Sequence, residues 1–168
     1  MTQQHTPQRD DLTGEHTVTD TGQLVLAVLF ALAWIADTFF LQYTTFLNQH
    51  VPLVVRIPLG GAVLVLAAYL ARTSLSIVFG EVREPPRVIR ESVFNWVRHP
   101  MYLSEILLYL GLLVFSLSLA AALVWVVVIG FLHYVSRHEE KLLLARFGEA
   151  YAQYMREVPM WIPRLRKR

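Results

Sequence analysis

No cysteine occurs anywhere in the chain. Disulfides, thiolate nucleophiles and cysteine-ligated metals are therefore excluded. Net charge is almost absent as well, since fifteen Lys and Arg against thirteen Asp and Glu leave only +2 over 168 residues. So small a balance gives no electrostatic footprint for nucleic acid, and no nucleic-acid partner is expected. The third absence is the most informative. Residues 24–36, 57–71 and 106–136 contain no Asp, Glu, Lys or Arg, and the last run is far longer than the roughly 20 apolar residues that one membrane helix needs. With 55% hydrophobic residues, against about 45–50% in soluble domains, the chain reads as an integral membrane protein.

The expected fold is all-α, a membrane helical bundle of about four transmembrane helices including a C-terminal helical hairpin, followed by a cytoplasmic C-terminal helical segment. Residues 1–22 are polar and lack the basic start and short apolar core of a signal peptide, so they are expected to form a disordered tail. Residues 23–168 then form a single membrane-embedded domain. Its first helix is expected over Gln23–Leu47 with Asp37 inside, and Arg56, Gln42 or Tyr43 are plausible company for that carboxylate. A second helix follows the turn at Asn48–Pro52 and runs to about Val78. Its Pro58 and Gly60-Gly61 suit bending and close packing rather than ligand binding.

From Gly80 to Val97 the composition turns charged around Pro85-Pro86, which forces an extended stretch; Val88, Ile89, Val93, Trp96 and Val97 then suggest a short helix on the membrane surface. The hairpin is expected as Tyr102–Leu119 and Ala120–Val135, tightly turned around Ser116–Ala121. Of the basic residues, Arg72, Arg83, Arg87, Arg90 and Arg98 lie in the middle connection. Arg137, Lys141, Arg146, Arg156, Arg164, Arg166, Lys167 and Arg168 follow the hairpin, and neither short turn on the other side carries one. The positive-inside rule therefore predicts both termini in the cytoplasm, in a bacterial or archaeal cytoplasmic membrane.

A hairpin returns the chain to the face it left, so Arg98-His99-Pro100-Met101-Tyr102 and His138-Glu139-Glu140 should meet. Counting from Leu119, Glu105 and His133 should lie at one level of the hairpin, either as a mutually satisfied polar pair or as the wall of a pocket. No third ligand has convincing spacing, so no metal site is expected. Beyond the hairpin, Gly148 is placed to end a helix, and Tyr151 and Tyr154 share one face of the next.

The ordered pattern Arg98-His99-Pro100-x-Tyr102, an apolar hairpin, then Glu139-Glu140-x-x-Leu143-x-x-x-Phe147-Gly148-x-x-Tyr151-x-x-Tyr154-x-x-x-Val158-Pro159-x-x-x-Pro163 resembles the isoprenylcysteine carboxyl methyltransferases and their phospholipid methyltransferase relatives. Ser104 stands where that family usually has Gly. The resemblance implies a membrane-embedded methyltransferase that uses S-adenosyl-L-methionine, with residues 98–163 as the cofactor-binding core. It also implies a lipophilic acceptor such as a prenylcysteine carboxylate, a phospholipid or an isoprenoid, reached from the membrane lipids. Its cofactor positions carry over to Arg98, His99, Pro100, Tyr102, Glu139 and Glu140, with Tyr151, Tyr154, Val158 and Pro159 closing the adenosine end. An amine or thiol acceptor must lose a proton, which would make Glu105 or His133 the catalytic base. Two other readings compete: an NADPH-dependent membrane reductase related to sterol reductases, and a non-catalytic membrane subunit or transporter.

Overall fold

The computed structural model describes residues 17–80 and 85–163. The polar segment 1–16, Arg83 with Glu84, and the basic end from Arg164 to Arg168 lie outside the described residues. Within them are five α-helices and no strand: α1 (Thr17–Ile35), α2 (Leu53–Gly80), α3 (Pro100–Ser116), α4 (Leu119–Phe147) and α5 (Glu149–Glu157). Asp20–Leu41, α2 and α4 are each long and apolar enough to cross a membrane, and α3 is a shorter apolar helix. The all-α bundle with a C-terminal hairpin expected from the charge-free runs is therefore present, although α1 begins at Thr17 and not at Gln23.

Packing pairs α2 with α3 and α1 with α4. The α2–α3 contact depends on two glycines. A Cβ on Gly111 would stand 2.5 Å from a Leu64 methyl, and one on Gly60 would stand 3.1 Å from the Gly111 carbonyl oxygen. Close backbone approach of this kind is how membrane helices associate when no hydrophobic force drives them together. Phe30, Ile106, Tyr109, Leu113, Val128 and Leu132 fill the centre between α1, α3 and α4.

At the hairpin end the chain turns on Leu117 and Ser118, Leu117 adopting a left-handed conformation at φ 48°. Asp37, buried at the close of α1, accepts hydrogen bonds from Ser118 Oγ at 2.5 Å, Thr44 Oγ1 at 2.5 Å and Thr44 N at 3.1 Å. Its partners are thus two hydroxyls and a backbone amide, not Arg56. That guanidinium donates instead to Asn48 and to the Phe115 carbonyl at 2.5 Å. Asp37 and Arg56 each lock a turn at this end, so both are structural.

Two further expectations are corrected. The second arm of the hairpin does not stop at Val135: α4 continues unbroken to Phe147, because nothing interrupts a helix before Gly148, where φ is 53°. At 1.5 Å per residue this helix is about 43 Å long, so its polar last turns outrun a hydrocarbon core of roughly 30 Å. The connection likewise holds no surface helix over 88–97. It runs extended and then makes one 3₁₀ turn, Ser92–Asn95, which buries Val93 and Phe94 against Leu70 and Leu103.

Gly60 and Gly61 are neighbours with opposite surroundings, since a Cβ on Gly61 would meet nothing within 4 Å. Gly111→Ala should lower thermal stability in detergent, by about 1–3 kcal/mol as overpacked contacts do. Gly61→Ala should leave it unchanged or raise it by about 0.5–1 kcal/mol through helix propensity.

Candidate functional site

Opposite the Asp37 end, five parts of the chain converge on one ion pair. Arg98 directs Nε at 2.8 Å and Nη2 at 2.7 Å to Glu140 Oε1, and Nη1 to the carbonyl oxygens of Met155 at 3.0 Å and Val158 at 2.5 Å. His99 Nε2 lies 3.3 Å from the same carboxylate oxygen. Both charged side chains are buried, with 9% and 3% exposed. The backbone adds to this clamp: Arg98 N donates to Pro159 O at 2.9 Å and His99 N to Met160 O at 3.3 Å. The C-terminal segment is thereby strapped across the start of α3. Pro100 occupies the first turn of that helix, where a missing N–H costs nothing.

Behind this clamp opens a cavity of about 440 Å³, walled by the end of α2, the connection, the starts of α1 and α3, the end of α4 and α5. That volume lies within the range of small-molecule sites. The expected site residues divide three ways. Arg98, His99, Pro100, Tyr102, Glu105, Glu139, Tyr151 and Tyr154 line the cavity. Glu140, Val158 and Pro159 do not: they hold Arg98 and the backbone from behind. His133 is the correction. It stands exposed on α4, its ring edge-on to Trp161 at 5.5 Å, and is not part of the cavity wall. Glu105 instead accepts from Tyr109 and Gln23, so the two residues do not form the expected pair.

Glu139 presents a half-buried carboxylate to the cavity, held by the Tyr102 hydroxyl and by His99 Nδ1 at 3.6 Å. Across from it, Tyr151 and Tyr154 pack at 5.7 Å, and Tyr154 donates to Phe94 O at 2.6 Å. Burial pushes both phenols far above their ordinary value, so they remain neutral donors. Ser104 keeps close packing by turning its hydroxyl back onto Met101 O at 2.6 Å. Sequence reasoning missed Asp20 and Gln23 on α1 and Arg87 on the connection, all of which line the cavity. Asp20 carried only a weak signal, as the last acid before a charge-free run.

The residues suit S-adenosylmethionine chemically. Its amino group and sulfonium call for carboxylates and aromatic faces, supplied by Glu139, Asp20 and the tyrosines, and its adenine calls for an aromatic-lined slot. Its carboxylate calls for a cation, and here Arg98 is already engaged in four internal contacts. Arg87 lines the same cavity and pairs with no described residue. Among the described residues no cluster suits a metal ion.

Among the described residues, long apolar helices with a mixed acidic and aromatic cavity at their ends define a membrane protein with room for a small molecule. The phospholipid methyltransferase family model matches residues 54–150. That is more than half of the chain, and the chain belongs to this family. It is therefore a multi-pass integral membrane methyltransferase that uses S-adenosylmethionine, and the reductase and transporter readings fall away. No curated protein and no solved structure matches the chain.

Arg98→Lys keeps the charge but cannot reproduce contacts to one carboxylate and two carbonyls. Removing one partner of a buried pair outright costs about 3–5 kcal/mol, and a lysine that keeps the charge but loses the fork of contacts should cost part of that. The variant should therefore melt earlier and be cleaved by protease near Met155–Pro163 under conditions that leave the wild type intact.

Proposed function

We infer that the chain methylates the amine of a phospholipid headgroup, with donor and acceptor meeting in the 440 Å³ cavity. The observation that carries this reading is the sign of the cavity wall. Asp20, Glu105 and Glu139 contribute three carboxylates, whereas Arg98 is neutralised by Glu140 and, among the described lining residues, Arg87 is the other Lys or Arg. Such a wall attracts an ammonium and repels a carboxylate, which favours an amine acceptor over a prenylcysteine carboxylate. The apolar side of the cavity, Ala71, Leu75, Val78 and Phe79 on α2, suits acyl chains entering from the bilayer.

In this reading the bound S-adenosylmethionine supplies an activated methyl group on sulfur. Glu139, oriented by Tyr102 and His99, would hold the amino group of the donor, and Arg87 its carboxylate. Phe94, Phe147, Tyr151 and Tyr154 would offer aromatic faces to the adenine, while Arg98 and Glu140 hold the strap in place. Methyl transfer needs nucleophile and methyl in line with water excluded, so positioning supplies most of the rate. The distribution of charge supports an orientation: Arg72, Arg87, Arg90, Arg98, Arg137, Lys141 and Arg146 lie toward the cavity end, while Arg56 at the other end is buried and spent on a turn. This favours a cytoplasmic cavity and cytoplasmic termini.

Calorimetry on the purified protein should detect S-adenosylhomocysteine binding and none by NADPH. With methyl-labelled donor, label should enter phosphatidylethanolamine in mixed vesicles and leave prenylcysteine peptides unlabelled. The opposite acceptor preference would overturn the reading. Glu139→Gln should weaken S-adenosylhomocysteine about 10–100-fold, the worth of one charge-assisted hydrogen bond. His133→Ala should keep it within about twofold, since the imidazole lies outside the cavity.

A further inference from the structure

We propose that Glu105 is the general base that takes the proton from the acceptor ammonium, and that Gln23 and Tyr109 are the residues that aim it. The proposal rests on the amine-acceptor reading above. Most ionised groups in the bundle are already answered. Asp37 is held by Ser118 and Thr44, Glu140 by Arg98, and Glu139 by His99 and Tyr102. Glu105 differs, because it lines the cavity half-buried in an apolar helix and no described cation pairs with it. An intramembrane carboxylate without a counter-charge is poised for a cation arriving from elsewhere.

Its orientation is fixed from both sides. Tyr109 donates to Oε1 at 3.0 Å, and its buried ring stacks on Phe30 at 4.4 Å. Gln23 Nε2 donates to Oε2 at 3.4 Å from α1. The start of α1 is seated by Gly22, where a Cβ would stand only 2.5 Å from the Phe131 ring. Each oxygen therefore has one neutral donor and a lone pair to spare.

The charged and titratable groups sharing the cavity with Glu105 are Asp20 from α1, Arg87 and Arg98 from the connection, His99 and Tyr102 at the start of α3, Glu139 from α4, and Tyr151 and Tyr154 from α5, while the described part of α2 contributes none. Tyr109, also on α3, touches Glu105 from outside the lining. In the step, an N–H bond of the ammonium breaks and an O–H bond forms on Glu105. The freed nitrogen lone pair then makes the N–C bond as the methyl C–S bond breaks with its electrons left on sulfur. The nitrogen emerges as a methylated ammonium, and the proton on Glu105 leaves to solvent, which balances charge and atoms.

The test follows methyl transfer to phosphatidylethanolamine in mixed micelles against pH, with S-adenosylhomocysteine affinity measured on the same preparations. Glu105→Gln should lose about 100-fold or more in kcat at neutral pH, the low end of general-base effects. Its rate should climb about tenfold per pH unit as the free amine accumulates, whereas the wild type stays flat over the same range. Its S-adenosylhomocysteine affinity should stay within about twofold of wild type. Glu105→Asp should restore the flat profile at a reduced rate. Tyr109→Phe, which removes one hydroxyl and no packing, should lower kcat several-fold with KM unchanged, as Gln23→Ala should. A Glu105→Gln enzyme with wild-type rate and profile would overturn the proposal, and so would equal losses of rate and of S-adenosylhomocysteine affinity. Failure of the wild type itself to bind S-adenosylhomocysteine or to methylate the lipid would strike the amine-acceptor reading instead.

Discussion

The Arg98–Glu140 ion pair is the interaction on which the site depends. One guanidinium joins the start of α3, the projecting end of α4 and the carbonyls of the C-terminal strap. Removed from water, each partner alone would be costly, so the pair stands only while all its contacts are made. That conditional character couples the parts: the strap adds to the other contacts that seat α5, the Tyr154 hydrogen bond to Phe94 O, the Arg90–Glu157 pair and the packing of Tyr151 and Tyr154 on Val88, Leu143 and Phe147. In a residue pattern that looks like a ligand-binding motif, Glu140, Val158 and Pro159 are braces behind the wall, and most of the others form the wall itself.

A second constraint comes from the bilayer. Helices must satisfy their own backbone groups in hydrocarbon, so irregular chain gathers at the two ends of the bundle. At one end the Asp37 carboxylate is held by Thr44 and Ser118, and the Arg56 guanidinium by Asn48 and the Phe115 carbonyl, so both charges are committed to turns. At the other end α2 and α4 outrun the apolar layer, and their last turns enclose a cavity with carboxylates still facing inward. The contrast between a closed polar end and an open one separates scaffold from site without reference to any relative.

Much of this was legible in the sequence because the signals were local. Charge-free runs mark the helices, Gly148 marks the end of α4, and the spacing of Arg98, His99, Tyr102 and Glu139 identifies one wall of the cavity. Glu105 and His133 show where such reasoning stops. Counting residues from the turn gives depth along a hairpin, but the direction of a side chain is set by rotation of about 100° per residue and by the neighbour it meets. Gln23 and Tyr109 met Glu105, and Trp161 met His133. Arg87 was obscure for a different reason: an extended segment has no helical period to reveal which residues face a pocket. Glu140, read as a ligand, is a brace, since spacing cannot tell which of two adjacent acids points inward.

Together these features support the proposed reading, in which the acids of one cavity are divided between methyl donor and acceptor. The central claim is the location of the methyl donor, and the most direct measurement is ultraviolet crosslinking of labelled S-adenosylmethionine to the purified full-length protein, followed by peptide mapping. The account predicts label on the peptides carrying His99–Tyr102 and Glu139–Tyr154, abolished by excess S-adenosylhomocysteine. Competable label confined to the Asp37–Arg56 end of the bundle would contradict it.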